Sequence, residues 1–404
     1  MTDPATQSPR TAPLQGIKVL DLSRVLAGPW AGQMLADLGA DVVKVERPGA
    51  GDETRAWGPP FVRDDVGCDT PETAYFACTN RNKRSLCLDF TEPDDFALLL
   101  RLVERADVVL ENFRCGDLAR HGLDYISLSA RNPRLVYCSI TGFGQTGPYA
   151  QRAGYDFLIQ GMGGLMSITG RADGEPGAGP QKVGVALTDV MTGLYATIAI
   201  QAALAERMRS GLGQHIDLAL LDVQVAALAN QSSNYLAGGG VPKRMGNAHP
   251  SIVPYQDFPT ADGDMIVAVG NDAQFARFCE AVACPQWSTD ARYATNEQRV
   301  AHRGELIVQI RAITVTRSTR DWIGVFEAVG VPCGQINAID EVFADPQVAA
   351  RGMRIVMNHA LAGALPLVAN PIRFSETPIA YRRPPPLLGE HRDEVMREWL
   401  NPAE

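Results

Sequence analysis

Short apolar runs alternate with amphipathic stretches through the first half of the chain. Ile17-Lys18-Val19-Leu20-Asp21-Leu22 is short, β-branched and apolar, the pattern of a buried strand. Trp30 to Leu38 has helical spacing, and Gly39 stands where a helix end takes glycine. Asp41 to Glu46 (DVVKVE) predicts a second strand. The three form a βαβ unit, which implies parallel strands and a right-handed crossover. The alternation recurs: a strand at Ser85 to Asp89, a helix at Pro93 to Glu104, and strands at Ala106 to Glu111 and Leu135 to Ile140. Gly184 to Thr188 reads as a short strand. Asp189 then opens a helical run, Met191 to Arg209, before a strand at Gln214 to Leu220. This predicts a doubly wound, Rossmann-like α/β layer.

The texture changes near Gly238-Gly239-Gly240. A hairpin pattern, DFPTADGDMIVAV, is followed by helices near Ala273 to Val282, His302 to Ile313 and Thr319 to Val329. The tail from about Gly334 has strand signals, Pro384-Pro385-Pro386 and a last helix. The expected layout is a disordered tail over 1–13, a large domain from 14–225 and 335–404, and a linker with a smaller α+β domain over 226–334. A chain of 404 residues fits two domains better than one core.

The 37 basic and 46 acidic side chains leave a net charge of −9, with no basic block. That argues against nucleic acid and anionic membranes as partners. The eight cysteines include no CxxC pair and no zinc spacing, so no metal is expected and a reducing, cytoplasmic setting fits. The start has no apolar core of a leader, and the longest mainly apolar stretch, Gly193 to Ala205, is shorter than a membrane helix needs.

Glu46 ends the second strand, about where a ribose-binding acid sits in dinucleotide folds. The first turn, Leu22 to Pro29, lacks the GxGxxG glycines, which disfavours that reading. Arg47 would suit a phosphorylated adenosine better than a bare ribose, but on that one residue alone a solvated Arg at a strand end is the stronger reading. Asp189 precedes a helix. From the residues alone it reads first as a common N-cap, a place where the helix N-terminus would also hold a carboxylate ionised.

Five segments then occur in order: LDLSRVLAGPWAGQMLADLGADVVKVERP, NRNKRSLCLDF, DVVLENFRCGDLARHGL, SITGFGQTGPYAQRAGYD and GVALTDVMTGLYA. Together they resemble the class III CoA-transferase family, whose relatives include formyl-CoA transferase, carnitine CoA-transferases and α-methylacyl-CoA racemase. AGYD, GLMSITG, GNAHPSIVPYQDF and RPPPLLGEH bring the chain nearest the succinyl-CoA-dependent branch acting on dicarboxylates such as hydroxymethylglutarate or glutarate. The resemblance runs from about Leu14 to Leu400. It implies an interlocked homodimer, a coenzyme A thioester as substrate and no permanently bound cofactor.

Carried over by position, the resemblance makes Asp189 the nucleophile. It makes Val25, Leu26, Ala27, Arg47, Asn112, Phe113 and Arg120 the coenzyme contacts. Thr91 and Thr141 stand where formyl-CoA transferase has lysines, and the glycine-rich active-site loop of that enzyme is here Gly246-Asn247-Ala248-His249-Pro250. The racemase branch uses the His of an AGHD motif. Here Tyr155 occupies that place, and a phenol with an ordinary pKa of ~10 cannot replace an imidazole. Asp156, the last residue of AGYD, either shapes the site or turns the chain. Tyr155, Asn247 and His249 are the expected substrate contacts, with Arg244 as the bidentate partner of a dicarboxylate's far end.

Overall fold

A computed structural model describes residues 11–401. Residues 1–10 of the expected tail lie outside it, while Gln15 N–H donates to Ala12 O (3.0 Å), so the last residues of that tail form a turn. Six parallel strands make the main sheet: β1 (Lys18–Asp21), β2 (Asp41–Glu46), β3 (Lys83–Cys87), β4 (Val108–Glu111), β5 (Val136–Thr141) and β6 (His215–Ala219). Their spatial order is β3-β2-β1-β4-β5-β6. This is the doubly wound order in which ligands bind outside the strand ends where the order reverses, between β1 and β4.

Successive strand residues serve opposite faces. Val19, Val42, Val108 and Val136 pack with α1 (Ala27–Asp37) and with Ala196 and Ile200 of a 24-residue helix, Leu187–Ser210. Leu20, Val43, Val109 and Tyr137 pack on the other side with Leu98, Leu99 and Leu102 of α2 (Pro93–Val103). Trp399 near the chain end joins this second layer and donates Nε1–H to Asp41 (2.7 Å). The first compact unit is therefore built from both chain ends.

Three helices carry the site beside α1: the short α3 (Asp156–Met162), the long α4 (Leu187–Ser210) and α5 (Leu220–Ala227). The expected strand at Gly184 to Thr188 does not form, and α4 already starts at Leu187. Gln160 of α3 takes the backbone groups a strand would have paired: Val183 N–H donates to Gln160 Oε1 (2.9 Å) and Gln160 Nε2 donates to Val185 O (3.4 Å). β3 begins two residues before the expected Ser85, because Lys83 and Arg84 are buried with ionic partners, Asp21 and Asp41. α4 exceeds the apolar stretch read from sequence. It is long and apolar enough to cross a membrane, but one side of it packs into the sheet layer.

The first unit comprises residues up to Leu165, Val183–Gly238 and Pro346–Glu404. The second comprises Met166–Lys182 and Gly239–Asp345. Residues 166–182, read from sequence into the large domain, group with the second unit. The chain returns to the first unit at Pro346, eleven residues beyond the expected boundary at 335. The second unit holds an antiparallel sheet of β7 (Tyr255–Pro259), β8 (Asp264–Ala268) and β9 (Cys333–Gln335). Its core contains Phe258, Phe275, Phe278, Trp322 and Phe326.

Candidate active site

The two loops at the strand-order reversal are tied together. After β1, Arg24 N–H donates to Asn112 Oδ1 (2.9 Å), and Asn112 Nδ2 donates back to Arg24 O (2.7 Å). Asn112 follows β4, so this pair spans the switch point. The Arg24 guanidinium also lies 4.9 Å over the Phe113 ring. Val25 has φ +71°, a left-handed conformation that a β-branched residue adopts only at a cost of about 1–3 kcal/mol.

Three adjoining cavities share these residues. One of about 650 Å³ is lined by Arg24, Arg47, Thr91 and Phe113. One of about 190 Å³ is lined by Val25, Leu26, Ala27, Asn112, Phe113, Tyr155 and Asp189. A third, of about 390 Å³, contains Phe113 and Arg120. Phe113 lines all three. Each of the seven expected coenzyme contacts lines one of these cavities, and the 190 Å³ cavity also holds Asp189. Arg47 and Arg120 are exposed, Arg120 pairing with Asp117. Glu46 also lines the 650 Å³ cavity, but Arg55 and Ser85 engage its carboxylate.

Asp189 is placed by close backbone packing. A Cβ on Gly193, one turn further along α4, would lie 2.7 Å from Ala27 O, so α4 can approach α1 this closely only with glycine there. On the opposite wall, a Cβ on Gly154 would lie 2.4 Å from Gly142 Cα. That contact fixes the Gly154-Tyr155-Asp156 turn beside the same cavity.

The N-cap of α4 is Ala186, which contributes no side-chain cap, so Asp189 sits inside the first turn and is not the cap. Asp156 takes that role from outside. Its Oδ1 accepts Thr188 N–H (2.9 Å) and Asp189 N–H (3.3 Å), while its Oδ2 accepts from Gln160 Nε2 (2.7 Å). Thr188 Oγ1 donates to buried Gln224 (2.6 Å). The Asp189 side chain is left facing the cavity. Burial, and then the charge of Asp156, push its carboxyl up to about 7. Burial first, and then the charges of Asp189, Cys78 and Asp156, push the Tyr75 hydroxyl up to about 12.

Gln160, Gln224 and Tyr75 carry no local signal in the sequence, whereas AGYD marks Asp156. Tyr155 lines the Asp189 cavity and is 65% exposed. Arg244, Asn247 and His249 belong to the second unit. There Arg244 pairs with Asp173 and donates to Ser167 O (3.3 Å). His249 Nδ1 accepts Ser251 N–H (3.1 Å), and Asn247 is exposed.

The nucleophile role that the sequence resemblance implies for Asp189 needs its ionised form. A carboxyl titrating at about 7 makes kcat/KM for a thioester fall about tenfold per pH unit below that value and level off above it. In Asp156→Asn the neighbouring charge is gone, so the midpoint moves to lower pH. A profile flat from about pH 5.5 to 8.5, or an unmoved midpoint, would contradict this electrostatic account.

A doubly wound sheet with a cavity at its switch point, and a half-buried carboxylate in that cavity's lining, is an arrangement that suits acyl transfer through a carboxylate. The sequence pattern of CoA-transferase family III matches residues 14–392, and the chain belongs to that family. It is 55% identical to a succinate–glutarate CoA-transferase of Agrobacterium fabrum, over 98% of both chains. It is 45% identical to the human succinyl-CoA:glutarate CoA-transferase, over 96% of this chain and 86% of that one. A crystal structure of a CaiB/BaiF family protein from Brucella suis superposes with a TM-score of 0.84 at 50% identity, covering 96% of this chain and all of the other.

Proposed function

We propose that this protein transfers coenzyme A from succinyl-CoA to a dicarboxylic acid through a thioester on Asp189. The Asp189 carboxylate attacks the thioester carbonyl, the C–S bond breaks, and the thiolate leaves with a mixed anhydride behind it. The thiolate then attacks the Asp189 carbonyl of the anhydride. Succinate departs and an aspartyl-CoA thioester remains. The acceptor carboxylate runs the same steps in reverse, regenerating Asp189, and no proton or electron is consumed. The observation that carries this reading is the position of Asp189. It lies in the cavity shared with Val25, Leu26, Ala27, Asn112 and Phe113, with a carboxyl kept basic by burial.

The uncapped N-terminus of α1, whose Leu26 and Ala27 line the same space, supplies backbone N–H groups for the developing oxyanion. The names of the similar enzymes favour succinyl-CoA as donor and glutarate as one acceptor. The working unit in this proposal is an interlocked homodimer; a light-scattering mass near one chain, 43.6 kDa, would contradict that. Incubation with succinyl-CoA and a panel of mono- and dicarboxylic acids, read as product CoA esters by mass spectrometry, tests the assignment. Glutarate or a close dicarboxylate should lead the panel, and transfer to none of the acids would end the proposal.

A further inference from the structure

The turn between β1 and α1 is held from beneath by charges that the reaction does not consume. Lys44 and Asp52 pair at 2.8 Å with both side chains fully buried. Lys44 Nζ also donates to Ser23 O (2.9 Å). Asp52 accepts the Val25 N–H (3.2 Å) while capping the short helix Glu53–Ala56 through Thr54 N–H (2.9 Å). With Asn112 holding both backbone groups of Arg24, three consecutive residues are pinned, each from a different segment. The last of them, Val25, is the one in the left-handed conformation. Without a fixed acceptor for its N–H, a β-branched residue would relax to negative φ and turn the following backbone away from the cavity.

We infer that the Lys44–Asp52 pair is a buried strap that locks the Ser23–Val25 turn in the form that receives the coenzyme, making Asp52 a positioning residue for acyl-CoA binding. This assignment rests on the coenzyme A reading above. Both residues border the 650 Å³ cavity, but their side chains are fully buried and act on the ligand through the turn. Lys44 fixes the carbonyl at the start of the turn, and Asp52 fixes the strained N–H at its end.

The test measures coenzyme A dissociation by calorimetry and succinyl-CoA kinetics on the full chain. Asp52→Asn replaces a charge-assisted hydrogen bond by a neutral one, so the dissociation constant and KM should rise at least about tenfold while kcat stays within about threefold. Glycine adopts positive φ without strain, so in a Val25→Gly background the same substitution should cost less than about threefold. Asp52→Asn alone leaves Lys44 without its closest partner. The double variant Lys44→Met/Asp52→Asn removes both charges of the pair and should show the same weakened binding. Unchanged coenzyme binding, a loss confined to kcat, or equal losses in the two backgrounds would overturn the strap. Failure of the unmodified protein to bind coenzyme A would instead sink the coenzyme reading on which it rests.

Discussion

Asp189→Asn is expected to slow coenzyme A transfer at least about a thousandfold, since the variant loses its nucleophile while keeping the cavity. Coenzyme A binding should change little, because the other lining groups remain. The fold should be retained as well. The Asp189 N–H and Thr188 N–H are held by Asp156, not by the side chain being replaced. Asparagine also removes the repulsion between two half-buried carboxylates. Steady-state assays with calorimetry on the same preparation check both halves. A variant that binds coenzyme A normally and retains more than a few per cent of turnover would show that Asp189 is not the nucleophile.

Arg244→Met is expected to weaken dicarboxylate acceptors by about 2–5 kcal/mol in kcat/KM, roughly thirtyfold to several thousandfold. A monocarboxylate should be affected much less. A dicarboxylate's far end must find a cation or several donors when it leaves water, and a planar guanidinium can grip it bidentately. Arg244 already pairs with Asp173, and its Nε is buried without a partner. Kinetics with matched mono- and dicarboxylic acids separate the roles. Equal losses on both would assign Arg244 to holding the 166–182 segment.

Where the chain's own pattern decides structure, sequence is enough. DVVKVE is the strand Asp41–Glu46 because burial on both faces favours β-branched residues whichever way they point. Misreadings arise where distant side chains decide. Lys83 and Arg84 look like loop residues, yet they begin a strand because Asp21 and Asp41 neutralise them. Gly184 to Thr188 looks like a strand, yet Gln160 takes the Val185 carbonyl and a helix starts at Leu187. Asp189 looks like a cap, and the cap comes from Asp156, thirty-three residues earlier. The strap is the extreme case. Lys44 in mid-strand and Asp52 in a glycine-containing loop carry no sequence sign of being a buried pair, and Val25 gives no sign of its left-handed backbone.

The covalent intermediate tests the central claim most directly. The protein is incubated with succinyl-CoA and no acceptor, quenched, digested and examined by mass spectrometry, with hydroxylamine trapping in a parallel sample. The peptide carrying Asp189 should bear coenzyme A in thioester linkage, or the hydroxamate in its place, and the Asp189→Asn peptide should bear neither. Absence of both from the unmodified enzyme while it turns over, or an adduct on any other carboxylate, would contradict the account.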